Sequence, residues 1–175
     1  MPSPGRAVAD VTIGHRLQLG IAAAIVIADQ VVKALVRARL DLGDTVVVIP
    51  NLLNLSRVHN TGAAFGLLNP VDFPFKAVVM TLLPLAALAV LAVYAATLPA
   101  EQRLSRLGLA FVIGGAAGNL IDRVTAGYVL DFVDVYWRGW HFWAFNVADA
   151  SITVGVALMI LDLLGVGRQR VSRTV

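Results

Sequence analysis

The chain has 175 residues, about the length of one domain. Apolar residues make up 58% and charged residues 14%, with a mean hydropathy of +0.79; soluble chains carry roughly 45–50% and about 25%, so a water-soluble globule and a disordered chain are both excluded. The absence of cysteine removes disulfides, thiol nucleophiles and thiolate metal sites, and the net charge of +3 comes from scattered basic residues with no stripe to meet a nucleic acid.

The first fourteen residues, with Pro2, Pro4 and Gly5, read as a frayed tail. Four stretches then have the roughly 20 apolar residues a bilayer crossing needs: about 17–37, 76–98, 104–122 and 147–166. Asp29 and Lys33 interrupt the first, and no small-x-small cleavage site follows it, so it is a span and not a secretory signal. Between the first two spans, residues 41–60 include Thr45-Val46-Val47-Val48-Ile49 before Pro50-Asn51, a pattern of short strands around a turn. The second span is free of charge; the third is short and carries Gly114, Gly115 and Gly118. The connection after it holds Tyr136, Trp137, Trp140 and Trp143, residues that favour the bilayer interface. A basic tail with Arg168, Arg170 and Arg173 closes the chain. An even number of spans puts both termini on one side. Basic residues divide seven to seven between the sides, but those on the terminus side lie in short segments, where charge steers insertion more strongly. Both termini are therefore expected in the cytoplasm, with the 17–37/76–98 and 104–122/147–166 connections outside.

Ionisable residues within a membrane cost about 2.5–3.5 kcal/mol each on insertion scales, so each needs a reason. This topology carries Asp29, Asn119, Asp122, Arg123 and Asp149 to one membrane face, where Asn60 and Asp131 join them from the outer connections. Asp29 and Lys33, at i,i+4 with the acid first, suit a structural pair. Gly114-x-x-x-Gly118 suits close helix packing, and Asn146-x-x-Asp149 suits the cap of the last helix. Asp122 falls at the expected end of the third helix, where the dipole disfavours it and Arg123 is the expected compensation. Asp131 stands out because it is embedded in the apolar run Tyr128–Val133. Paired with Asp149, it supplies the minimum equipment for hydrolysis by activated water, since like charges held together share a proton. No G-x-S-x-G, H-E-x-x-H, P-loop or dinucleotide fingerprint is present, and His15, His59 and His141 have no metal-ligand spacing. The alternative from another class is a proton- or solute-translocating protein that uses buried carboxylates as a relay; that reading wants acids spread through the membrane depth, whereas only Asp162 lies far from the outer rim.

Five segments, in order, resemble the lipoprotein signal peptidases, the membrane aspartic peptidases of bacteria. They are Asp29-Gln30-Val31-Val32-Lys33, His59-Asn60-Thr61-Gly62-Ala63-Ala64-Phe65-Gly66, the run from Gly114 to Arg123, Val129-Leu130-Asp131-Phe132, and Phe145-Asn146-Val147-Ala148-Asp149. The resemblance covers residues 17 to 164, and the first fourteen residues and the tail after Val166 match nothing in it. It departs at Trp143, where many members carry Pro.

The resemblance implies a single membrane domain spanning residues 1–175, mainly α. The implied fold is a four-helix bundle with a small β-cradle at about 41–60 and a short interfacial helix near Phe65–Leu68. It implies removal of signal peptides from diacylglyceryl-modified prolipoproteins, cut just before the lipid-bearing cysteine at the outer leaflet of the bacterial inner membrane, by a monomer among membrane lipids. It casts Asp131 and Asp149 as the catalytic pair; Asn60, Gly115, Asn119, Arg123 and Asn146 as substrate-positioning or supporting residues; and Asp29, Lys33 and Asp122 as polar scaffold. It implies no metal and no organic cofactor.

Overall fold

The computed structural model describes residues 4–63, 67–99 and 101–166, with side chains in the first helix from residue 14 onward. Its elements, in chain order, are α1 (Pro4–Arg39), β1 (Thr45–Ile49), β2 (Leu53–Asn60), α2 (Lys76–Thr97), α3 (Arg103–Ala126), β3 (Val129–Trp137), β4 (Trp140–His141) and α4 (Val147–Leu163).

The expected frayed tail is helical from Pro4. Proline is tolerated in a first turn, and no breaker follows Gly5 until the helix is under way. Helix α2 ends where Leu98 turns extended before Pro99, as residues preceding proline tend to do. Helix α3 runs a turn past the expected Asp122 and stops at Gly127, whose φ of 79° suits glycine and whose N–H bonds back to Arg123 O at 3.1 Å. Among the described residues, three segments, Gly14–Arg39, Lys76–Thr97 and Arg103–Ala126, are long and apolar enough to cross a membrane by length and composition. At 17 residues α4 is shorter, about 26 Å at 1.5 Å per residue, the lower limit of a spanning helix.

Packing inverts the usual arrangement of a soluble protein. Asp29, Lys33 and Asp122 are fully buried, while Leu83 and Val90 on α2 are more than 60% exposed. That pattern fits helices whose solvent is lipid, with polar side chains turned into the bundle. Glycines set the helix spacing. A methyl group at Gly115 would strike the Ala148 carbonyl of α4, and one at Gly108 the Gly155 carbonyl of the same helix. At Gly114 a methyl group would lie 2.9 Å from Ala22 O on α1.

The four strands form one antiparallel sheet in the order β1-β2-β3-β4. The cradle therefore draws on more than the expected residues 41–60: the connection after α3 supplies its third and fourth strands. A cluster of Val36, Leu130 and Phe132, with Val32, Leu55 and Val147 around it, fastens the sheet to the ends of α1 and α4. Of the expected short helix near Phe65–Leu68, Phe65 and Gly66 lie outside the described residues; Leu67 and Leu68 form a turn.

Candidate active site

Asp131 lies on β3, opposite Val58 of β2, and is 3% exposed. Sequence reasoning placed it in a loop, but it is a strand residue in a ladder. Its neighbour Asn60 reaches it through a β-bulge. Leu55 and Asn60 are an odd number of positions apart, so a regular β2 would turn them to opposite faces. The register slips between Leu55 and Val58, and the extra residue swings Asn60 onto the face of Asp131. Its Nδ2 then donates to Asp131 Oδ2 at 3.0 Å, while its Oδ1 accepts from the Gly62 N–H at 3.0 Å.

Asp149 arrives from α4. The chain ahead of that helix docks along β3, with Phe145 N–H donating to Val133 O at 3.1 Å and Phe145 O accepting from Val133 N–H at 2.8 Å. Trp143, where many proteins with these motifs have Pro, leaves that docking intact. Asn146 then caps α4 in a reciprocal box: its Oδ1 accepts from Asp149 N–H at 2.9 Å, and Asp149 Oδ2 accepts from Asn146 N–H at 3.2 Å. Capping uses only one end of the Asn146 amide. Its Nδ2 donates to Asp131 Oδ1 at 2.7 Å and to Asn119 Oδ1 at 3.1 Å. One buried asparagine thus links the two carboxylates.

Asn119 joins from α3, donating to Asp149 Oδ1 at 2.8 Å. One turn on, Arg123 faces both Asp131 and Asp149. Its Nη2 donates to Gly62 O at 2.6 Å, while its Nη1 is buried without a hydrogen-bond partner among the described residues. The expected Asp122–Arg123 compensation is present only as a weaker attraction, after those of Asp131 and Asp149, and no ion pair joins the two among the described residues. Neighbouring helix residues point about 100° apart, so Asp122 turns to α1 instead and meets Lys33 at 2.9 Å and Arg37 at 2.7 Å, and accepts from Leu130 N–H at 3.1 Å. Asp29 and Lys33 pair at 2.8 Å. Asp29 also accepts from Ala148 N–H at 3.0 Å, pinning the first turn of α4, in a space that Gly118 leaves open. Gly115 lies against Ala148, so its support is to bring α4 close.

Sequence reasoning missed Gln30, which donates to Asp29 Oδ2 at 3.2 Å and Gly118 O at 3.1 Å, and Arg37. Arg37 follows Lys33 by four positions, as Lys33 follows Asp29, and that stripe on one helix face was the available signal. Asp162 lies away from this network, where it accepts from Ser105 Oγ. A cavity of about 230 Å³ between α1, α2 and α3 contains none of the network's residues among those that line it, and takes no part in this chemistry.

Burial and then the charge of Asp149 push the Asp131 carboxyl up to about 7, against the pull of the Asn60 and Asn146 hydrogen bonds and of Lys33. His59, stacked on Tyr128 at 3.6 Å, is held below its ordinary value by burial and by Arg57 and Arg37, so it stays neutral. Two adjacent carboxyl groups, one of them holding its proton up to near neutral pH, can divide the roles of base and acid toward a water molecule. Among the described residues, no group of three or more His, Cys, Asp or Glu is arranged to hold a metal ion.

The profile of the family described as signal peptidase (SPase) II matches residues 21–165. A lipoprotein signal peptidase of Geobacter metallireducens is 41% identical over 152 residues, covering 86% of this chain and 91% of the relative. One from Symbiobacterium thermophilum is 44% identical over 155 residues, covering 87% and 97%. A bacterial membrane enzyme solved by the in meso method at 1.9 Å superposes with a TM-score of 0.74 at 35% identity, over 85% of this chain and 92% of that one. A second, solved at 2.3 Å, gives 0.73 at 31% identity, over 91% and 94%.

Proposed function

The chain belongs to the signal peptidase II family, and from that membership we propose that Asp131 and Asp149 are its catalytic pair. The protein is a membrane peptidase that removes signal peptides from prolipoproteins. The observation that supports the assignment of the pair is Asn146, whose Nδ2 donates to the Asp131 carboxyl and whose backbone N–H donates to the Asp149 carboxyl, so that one residue ties the two groups together. The substrate is a precursor carrying a diacylglyceryl group, cut just before the modified cysteine. Its acyl chains stay in the bilayer while the scissile bond meets the rim formed by β3 and the start of α4. The spare Nη1 donor of Arg123 is then free for a substrate carbonyl. Asn60, Asn119 and Asn146 hold the pair in register, and Gly115 lets α4 approach.

The supporting topology has α4 as a fourth span, both termini in the cytoplasm, and the sheet with the carboxylates at the outer leaflet of the inner membrane, all in one domain that works as a monomer. The relay alternative is not favoured: the acids at the rim are tied into one hydrogen-bonded network, and Asp162 stands apart from it.

The test is cleavage of a diacylglyceryl-modified prolipoprotein by purified variants. Asp131→Asn and Asp149→Asn are expected to insert stably and lose at least about 10²–10⁴-fold in rate, the range of general acid–base catalysis. Asp134→Asn is the control. Asp134 bonds Asn54 Nδ2 at 3.0 Å and His141 Nδ1 at 2.8 Å and touches no member of the pair, so most activity is expected to survive. Substantial cleavage by either folded variant of the pair would remove the aspartic mechanism.

A further inference from the structure

The Lys33 ammonium is fully buried, and each of its three N–H donors has a partner. Asp29 Oδ2 lies at 2.8 Å, Asp122 Oδ2 at 2.9 Å and Asn119 Oδ1 at 2.9 Å. With Arg37 on Asp122 Oδ1 at 2.7 Å, two acids and two cations already neutralise one another. A cluster built only to fasten α1 to α3 would be complete there. The third Lys33 donor leaves it and meets Asn119.

That contact fixes which way the Asn119 amide points. Its oxygen accepts from Lys33 and from Asn146 Nδ2, so its nitrogen must face Asp149, where it donates to Oδ1 at 2.8 Å. The other Asp149 oxygen takes the Asn146 backbone N–H at the start of α4, where the helix dipole favours negative charge. Among the described residues, Asp131 is bonded at its carboxyl only by the neutral amides of Asn60 and Asn146. The charged groups facing this corner are Asp29 and Arg37 from α1, Asp122 and Arg123 from α3, Asp149 from α4 and Asp131 from β3.

We infer that Lys33 is a positioning residue for the hydrolysis, acting through Asn119 to hold Asp149 as the charged, water-activating member of the pair while Asp131 keeps the proton. The inference rests on the catalytic-pair reading above. Asp149 takes a proton from water as the water oxygen bonds to the scissile carbonyl carbon, and Asp131 gives its proton to the carbonyl oxygen. When the carbon–nitrogen bond breaks, the proton on Asp149 passes to the departing nitrogen. One hydroxyl of the intermediate returns its proton to Asp131, which restores both groups.

The test is the pH–rate profile of the charge-balanced variant Asp29→Asn/Lys33→Met, measured with diacylglyceryl-modified prolipoprotein in detergent. The amide oxygen that Asp29→Asn supplies can still accept from Ala148 N–H, and Asp122 keeps Arg37. The acidic limb of kcat should move up by about one pH unit once the Asn119 donor to Asp149 Oδ1 is no longer held, because a hydrogen bond to the charged form favours that form; the paired loss of one positive and one negative charge leaves the local net charge unchanged. At a fixed pH on that limb kcat should fall by roughly tenfold, as a one-unit shift implies, with KM little changed. A wild-type limb and kcat in the folded variant would overturn the inference, as would a loss confined to KM. If the double variant does not fold, Asn119→Ala leaves all four charges in place and carries the same expectation, and a wild-type limb there is equally fatal. Asp149→Asn separates the two levels. Cleavage by Asp149→Asn defeats the pair itself, whereas an inactive Asp149→Asn beside an unshifted double variant defeats Lys33 alone.

Discussion

Burial of the Asp131 carboxyl carries a cost in stability, and its raised value gives that cost a sign. An acid whose folded value lies above its unfolded value is favoured uncharged by the fold. Its contribution is therefore fully present below the ordinary value of 3.8 and is lost as pH rises through about 7. Thermal melting in detergent should show wild type losing stability between those limits, and Asp131→Asn should flatten that slope. An equally steep decline in the variant would place the titration elsewhere. Arg123 makes a second prediction at this scale. Its guanidinium faces both carboxylates and holds Gly62 O at 2.6 Å, whereas Arg138 is exposed, 5.0 Å over the Trp137 ring. Arg123→Leu should cost about 1.5–3 kcal/mol, the worth of a charged hydrogen bond, and most of the cleavage rate. Arg138→Leu should cost about 0.5–1 kcal/mol and leave the rate near wild type. Similar melting and similar rates for the two would contradict the assignment.

Between elements, glycine decides how closely α4 can approach. A methyl group at Gly115 meets the Ala148 carbonyl, one residue before Asp149, whereas none of the described atoms lies within 4 Å of a methyl group at Gly20. Gly115→Ala should destabilise by about 1–3 kcal/mol and reduce cleavage further by shifting Asp149, and Gly20→Ala should stabilise by about 0.4–1 kcal/mol. Melting and cleavage assays on the pair decide it, and a Gly115→Ala enzyme of normal rate would separate helix spacing from catalysis. The helices were legible in the sequence because uncharged apolar runs of this length have few other uses. β1 was legible from its β-branched residues. β3 was not, because Asp131 and Asp134 lie three apart and break the two-residue alternation that marks a strand. The bulge that brings Asn60 to Asp131 has no local signal, since it exists only in the pairing of two strands. Asn146 as a cap was readable from Asn146-x-x-Asp149; its second bond, to Asp131, needs the Phe145 docking that only the fold supplies.

For the whole molecule, the proposed orientation makes a prediction that this cysteine-free chain is suited to test. Single cysteines at Glu101, between α2 and α3, and at Arg138, between β3 and β4, should react with impermeant reagents from opposite sides of the membrane. Glu101 should be reached from the cytoplasm. Labelling of both from one side would end the arrangement in which α3 is a span and the sheet lies outside.

The pairing of β2 with β3 has a further consequence, for the birth of the protein. Asn60 must wait for a partner 71 residues later in the chain, and the carboxylate of Asp29 for an amide 119 residues later. Chains emerge from the ribosome in order, at about 5–20 residues per second, so most of the polypeptide exists before either contact can close. Until α4 is in place, Asp131 has neither its asparagine link nor a second carboxylate. On the proposed pair, a chain that stops short of α4 lacks its second carboxylate, so hydrolytic competence arrives only with the last helix.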